Sequence, residues 1–223
     1  MANMIVAGGF GALGRAVVAL LIEQEHRVAV IDMAAAPEGT RADPAIGGVD
    51  LADEAAVGIA FARAADAMGR IDGLVNVAGG FVWETVADGS PASWDRMYRM
   101  NVRTAALSCG AILPHLAAPG GAIVNVGAAA ASNVAAGMAP YAASKAGVMA
   151  LTEGLADELK GRGIRVNAVL PTIIDTPANR ADMPDADTSG WVTPEAAARV
   201  IAFLLSADAG AVTGVGVRLS LAG

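Results

Sequence analysis

Met4-Ile5-Val6-Ala7-Gly8-Gly9-Phe10-Gly11-Ala12-Leu13-Gly14 decides the fold of this chain. Four apolar residues make a buried strand, and the glycines that follow make a turn. Ala12–Glu25 then carries apolar residues at helical spacing. Gly8 permits a tight turn, Gly11 lets backbone amides approach a ligand, and Gly14 lets the helix pack on the strand. Phe10 and Leu13 complete the turn. A helix N-terminus aimed out of such a turn favours an anion, so the stretch predicts a dinucleotide pyrophosphate site. The plainer reading is a tight turn without a ligand.

The alternation continues outward. Arg27–Ile31 reads as a second strand, and the Pro- and Gly-bearing 33–48 stretch leaves room only for a short third. Asp53–Met68 reads as a helix, Gly73–Val77 as a strand and Trp94–Leu116 as one long helix. Ala122–Val126 is a strand, Tyr141–Lys160 a helix and Ile164–Leu170 a strand. Pro194–Leu205 is a helix and Val215–Leu221 a last strand. This order demands an α/β fold: one doubly wound parallel sheet of about seven strands, flanked by helices. Residues 1–223 read as one domain. Residues 172–193 stand out as a long irregular stretch, expected to be a lid over a substrate.

Composition narrows the function. The chain has 223 residues, 55% hydrophobic and 17% charged, which suits a packed core. No apolar run reaches the ~20 residues of a membrane span. The start has no basic leader, so a cytoplasmic location is expected. Net charge is −7, which argues against nucleic acid and anionic membrane as partners. The lone Cys109 and the separated His26 and His115 offer no metal-ligand spacing, and no metal is expected. The expected partner is a small-molecule substrate.

Asp32 ends the second strand. A carboxylate there accepts hydrogen bonds from ribose hydroxyls and repels a 2′-phosphate, which favours NAD(H) over NADP(H). Arg15, beside the turn, leaves NADP(H) open. Asp50 and Leu51 follow the third strand and face the adenine, or else Asp50 caps the next helix.

Tyr141-Ala142-Ala143-Ser144-Lys145 puts a phenol and an ammonium on one helix face. The positive charge is expected to lower the tyrosine pKa toward working pH, making the pair a proton-transfer device. An ordinary half-exposed helix face is the alternative.

Together these segments resemble the short-chain dehydrogenase/reductase family along essentially the whole chain. Asn76-Val77-Ala78-Gly79, Asn101, the Tyr141/Lys145 pair, and Arg165–Val169 with Pro171 match its motifs. The resemblance implies a Rossmann-type fold and an NAD(P)-dependent oxidoreductase. It implies catalytic roles for Tyr141, Lys145 and Asn101, with Asn101 holding a water that links Lys145 to solvent. It implies cofactor contacts from Asn76, Ala78, Gly79, Tyr141, Lys145, Pro171, Ile174 and Thr176. A homodimer or homotetramer built on helices 94–116 and 141–160 is also implied.

One departure matters. The family's catalytic serine lies thirteen residues before the tyrosine, and here that position is Ala128. A branch of the family, the dihydropteridine reductases, is similar in the glycine turn, in Val77–Phe81, in 175–187 and in this alanine. It differs at Asn101 and at Phe81, where that branch has Trp. The resemblance implies hydride transfer to a quinonoid, pterin-like or imine-like acceptor with Tyr141 as general acid. Phe81, Trp83, Ala128, Met138 and Trp191 are the candidate substrate residues, and ordinary packing is the alternative for the large ones. Two rival functions stand beside this one. The first is an alcohol/ketone enzyme using Ser132 or water in place of the serine. The second is a non-catalytic dinucleotide sensor or scaffold.

Overall fold

A computed structural model describes residues 1–221. Seven parallel strands form one sheet in the order β3-β2-β1-β4-β5-β6-β7. They are β1 (Asn3–Ala7), β2 (Arg27–Ile31), β3 (Ala45–Ile46), β4 (Gly73–Asn76), β5 (Ala122–Val126), β6 (Arg165–Pro171) and β7 (Gly216–Leu219). Chain order reverses between β1 and β4, and a crevice opens beyond the strand ends at that switch point. The central strands are buried on both faces, which explains their continuous apolar runs.

On one face, α1 (Ala12–Glu23) packs against α7 (Pro194–Leu205). Their core includes Val6, Leu13, Val17, Leu21, Val30, Val124 and Ile201. On the other face lie α2 (Glu54–Met68), the helical segment 91–112 and α5 (Ala139–Leu159). Ile5, Phe61, Leu74, Ile112, Ile123 and Leu159 fill that layer.

Two boundaries differ from expectation. The 94–116 helix is three pieces: α3 (Pro91–Met97), a π-helical turn (Tyr98–Arg103) and α4 (Thr104–Ile112). Ser90 starts it early by accepting from Ala92 N–H, with Pro91 preset for a first helical position. Pro114 stops it early, since proline has no N–H to continue the helical hydrogen bonds. The 172–193 stretch is also more regular than expected. It contains α6 (Pro177–Asp182), whose cap Thr176 accepts from Asn179 N–H, and Ile174 bridges to Val192.

Candidate active site

The glycine turn is held from three sides. Gly8 has φ +85°, and a β-carbon there would lie 2.5 Å from Ala78 N. Val77 and Ala78 both donate to Ala7 O, so the β4 exit lies against the turn. Asp32 accepts from Phe10 N–H at 2.9 Å through one oxygen and from Ala34 N–H at 2.9 Å through the other. Arg15 lies on the turn too, its Nε donating to Phe10 O at 2.7 Å.

From this turn runs a trough of about 750 Å³. Gly8, Phe10, Gly11, Leu13, Asp32, Asp50, Leu51, Ala78, Gly79 and Thr176 line it, as expected for an extended dinucleotide. Gly14 lies beneath, packed on Gly8 and Gly9. Asp50 does not cap α2; Asp53 does, accepting from Ala56 N–H. Asp50 instead accepts from Ala52 N–H at 2.8 Å and pairs with Arg99 at 2.7 Å. The Ala52 amide, with Arg99 beside it, holds its carboxyl below the usual range.

Asn76 stands apart from the trough lining. Its Nδ2 donates to Asn125 Oδ1 at 2.8 Å and faces Cys109 Sγ at 3.3 Å. Asn125 Nδ2 donates to Thr152 Oγ1 at 2.9 Å. This buried chain stitches β4, β5 and α5 together. Pro171 is buried at the end of β6, and Ile174 packs against the core.

At the other end of the trough, Lys145 Nζ lies 3.3 Å from where a β-carbon on Gly79 would stand. It donates to Val126 O at 2.8 Å and sits 5.9 Å from the Tyr141 ring centroid. The expected lowering of the tyrosine is not found. Burial pushes Tyr141 up to about 12, and burial likewise brings Lys145 down to about 8. The ammonium is turned to a carbonyl, and desolvation outweighs attraction between charge and phenolate.

Asn101 occupies the π-helical turn. Its Oδ1 accepts from Gly80 N–H at 2.9 Å, and its Nδ2 donates to Gly80 O at 3.0 Å and to Ser144 Oγ at 2.9 Å. Ser144 Oγ donates to Tyr141 O at 2.7 Å. The side chain thus ties the β4 exit to the first turns of α5. Ser144 escaped notice as a site residue, though it stands within the tyrosine–lysine run. Arg99 and Arg103, which meet Asp50 and Ala52 O, gave no local signal because their partners lie far away in sequence.

Ala128 is 3% exposed and precedes a 3₁₀ turn over Ala129–Ala131. Ser132 Oγ points at Ala129 O, 3.4 Å away, as a loop cap. Phe81 meets the Tyr141 ring edge-on, centroids 4.9 Å apart. Trp83 is exposed, with Nε1 donating to Ala136 O at 3.1 Å. Met138 is half-buried at the start of α5. Trp191 is 5% exposed, the packing alternative for a large apolar side chain.

The chemistry open to this arrangement is proton transfer at one end of a dinucleotide trough. Among the described residues, no group of three His, Cys, Asp or Glu side chains is placed to hold a metal ion, and no helix is long and apolar enough to cross a membrane. Fold and site define an oxidoreductase of the nucleotide-binding α/β class. Within that class, the chain belongs to the short chain dehydrogenase family, whose sequence profile matches residues 2–187. One relative is 2-(S)-hydroxypropyl-CoM dehydrogenase 3 of Xanthobacter autotrophicus, 33% identical, with 94% of this chain and 91% of the relative covered. Another is D-threitol dehydrogenase of Mycolicibacterium smegmatis, also 33% identical, covering 94% and 88%. A short-chain dehydrogenase/reductase structure from Serratia marcescens superposes with a TM-score of 0.87 at 29% identity, covering 98% and 96%. The family binds NAD(P)(H), and its named members act on small molecules.

Proposed function

We propose that this chain is an NAD(H)-dependent reductase of a small, electron-poor acceptor of the quinonoid, pterin-like or imine-like kind. The observation that carries the reading is the buried methyl of Ala128 where the family has a serine, with Ser132 engaged elsewhere. A serine hydroxyl would polarise a carbonyl oxygen, and loss of one such donor typically costs ~10²–10³ in rate. An acceptor already short of electrons has little need of it.

The residues fit the cofactor. The turn at Gly8–Gly14 offers backbone amides to a pyrophosphate, and Asp32 stands at the rim for the ribose hydroxyls, favouring NAD over NADP. Asp50 and Leu51 take the adenine end. Ile174 and Thr176 flank the carboxamide end. Bound there, the nicotinamide supplies hydride. Tyr141 donates the proton from its phenol, which its raised pKa keeps protonated at neutral pH. Lys145 holds ribose hydroxyls, and Asn101 fixes Gly80 and Ser144 around the tyrosine. Residues 172–193 act as the lid, supported by Thr176, Pro177 and Ala178 on the trough wall.

The relatives' names support a second reading, an alcohol/ketone enzyme in which Ser132 or a water replaces the serine. NADH oxidation against quinonoid pterin, quinones, imines and plain ketones separates the two. Turnover confined to plain ketones overturns the first. Trp94 and Tyr98, exposed four residues apart on the 91–112 segment, support a homodimer or homotetramer through that segment and α5. Light scattering should give a mass of at least twice 22.2 kDa.

A further inference from the structure

We infer that Phe81 and Trp83 form a fixed aromatic wall beside Tyr141, and that the substrate carries a flat, uncharged π-face that seats against it. The inference rests on the reading of Tyr141 as the proton donor.

Both rings are exposed, Phe81 by 49% and Trp83 by 62%. An exposed aromatic alone means little. Here the rings are fastened. Phe81 stands at 83° to the Tyr141 ring in an edge-to-face contact, centroids 4.9 Å apart. Trp83 Nε1 donates to Ala136 O, and Glu84 N–H donates to Gly137 O at 2.8 Å. These two bonds zip the segment after β4 to the loop that enters α5.

Gly137 makes the seat. Its φ is +76°, and a β-carbon there would stand 2.7 Å from Trp83 Cζ2, well inside carbon–carbon contact. The loop carries no side chain where the indole closes on it. The carboxylate on the same segment is turned away: Glu84 accepts from Ser90 N–H and Ser93 Oγ. The segment's carboxylate anchors the segment itself, while both rings stay exposed, Phe81 against Tyr141 and Trp83 against the loop that enters α5.

Such a wall suits one kind of ligand. Aromatic rings prefer offset stacking or edge contacts with other rings, and a wall already fixed loses little freedom on binding. A saturated molecule of similar outline gains only its buried area. A planar, conjugated acceptor gains both terms, and its carbonyl or imine reaches the Tyr141 phenol while its face rests on the wall.

The test is calorimetric binding to the NADH-loaded protein. The probes are 2-naphthol and its saturated counterpart decahydro-2-naphthol, neither of which can accept hydride. The wild type should bind 2-naphthol about tenfold more tightly. Trp83→Leu, which keeps an apolar side chain but removes the π-face, should bring the two probes to parity without changing NADH affinity. Gly137→Ala should do the same by displacing the indole, and Phe81→Leu decides should that variant fail to fold. Equal wild-type affinities, no binding of either probe, or an unchanged preference in Trp83→Leu would overturn the wall. The outcome is independent of the acceptor panel: a quinone can be turned over without stacking, and 2-naphthol can stack in an enzyme that reduces only ketones.

Discussion

The two ends of the trough are built from different materials. At the dinucleotide end, backbone does the work: the Gly8 turn, the Phe10 and Ala34 amides on Asp32, and the Val77 and Ala78 amides on Ala7 O. At the end where we propose the reaction, side chains do it: Tyr141, Lys145, Asn101, Ser144, and the apolar Ala128 and Phe81. A backbone site serves any ligand with the right phosphates, so many chemistries share it. A side-chain site changes character with one substitution, as at Ala128. General binding and particular chemistry are thus separated along one sheet edge.

The sharpest test of that separation is Tyr141→Phe. Turnover should fall by ~10²–10⁴, the range for losing a positioned general acid, while the NADH dissociation constant stays within about twofold. A parallel loss of NADH affinity would show that the ends are not separate.

Ala128→Ser comes next. On a plain ketone it should raise kcat/KM by up to ~10²–10³, and on the native acceptor it should bring no gain. A large gain on the native acceptor would mean the alanine is a loss, and would favour the alcohol/ketone reading.

Lys145 gives a pH test without substrate. Burial lowers it from 10.5 to about 8, so between those values the unfolded chain holds a proton that the folded chain has released. Folding is penalised below pH 8, and the penalty lifts as pH rises through that window. From pH 8 to 10, urea denaturation of the cofactor-free protein should show wild type gaining about 2 kcal/mol relative to Lys145→Met. Tyr141, raised to about 12, opposes this only above pH 10. An identical profile in the variant would place Lys145 in a wetter setting.

The smallest effect is at the rim. Asp32→Ala should narrow the NADH-over-NADPH preference by about tenfold, read from the two dissociation constants. Tighter NADPH binding by the wild type would reverse the assignment and turn attention to Arg15.

The same division governs what could be read from sequence. Glycine spacing encodes backbone shape directly, so the turn and the parallel, doubly wound sheet of about seven strands were legible. Tyr141 and Lys145 were legible as a pair on one face, but the direction of the tyrosine shift was not. That depends on how deeply the fold buries the phenol, which no local pattern encodes. For Trp191 the sequence left lining and packing open, because an aromatic within an acidic stretch has no periodic neighbours to reveal burial. The α6 helix had a local signal in Thr176-Pro177, a cap followed by a preset first residue, which the surrounding Asp and Gly residues outweighed.

The π-helical turn at Tyr98–Arg103 has a further consequence, one of angular phase. Met97, Asn101, Ala105, Cys109 and Ile112 all face inward, in steps of four, four, four and three residues. Four residues of a regular helix overshoot a full circle by about 40°, so this stripe would wander off the sheet. The widened turn absorbs part of that excess. It lets one helical segment bury Met97 and Ile112 at its two ends while holding the Asn101 amide in register with Gly80. The site's central clamp is therefore a property of helical winding as well as of residue identity: removing Tyr98 alone would keep every site side chain and still turn Asn101 about 100° relative to the preceding helix.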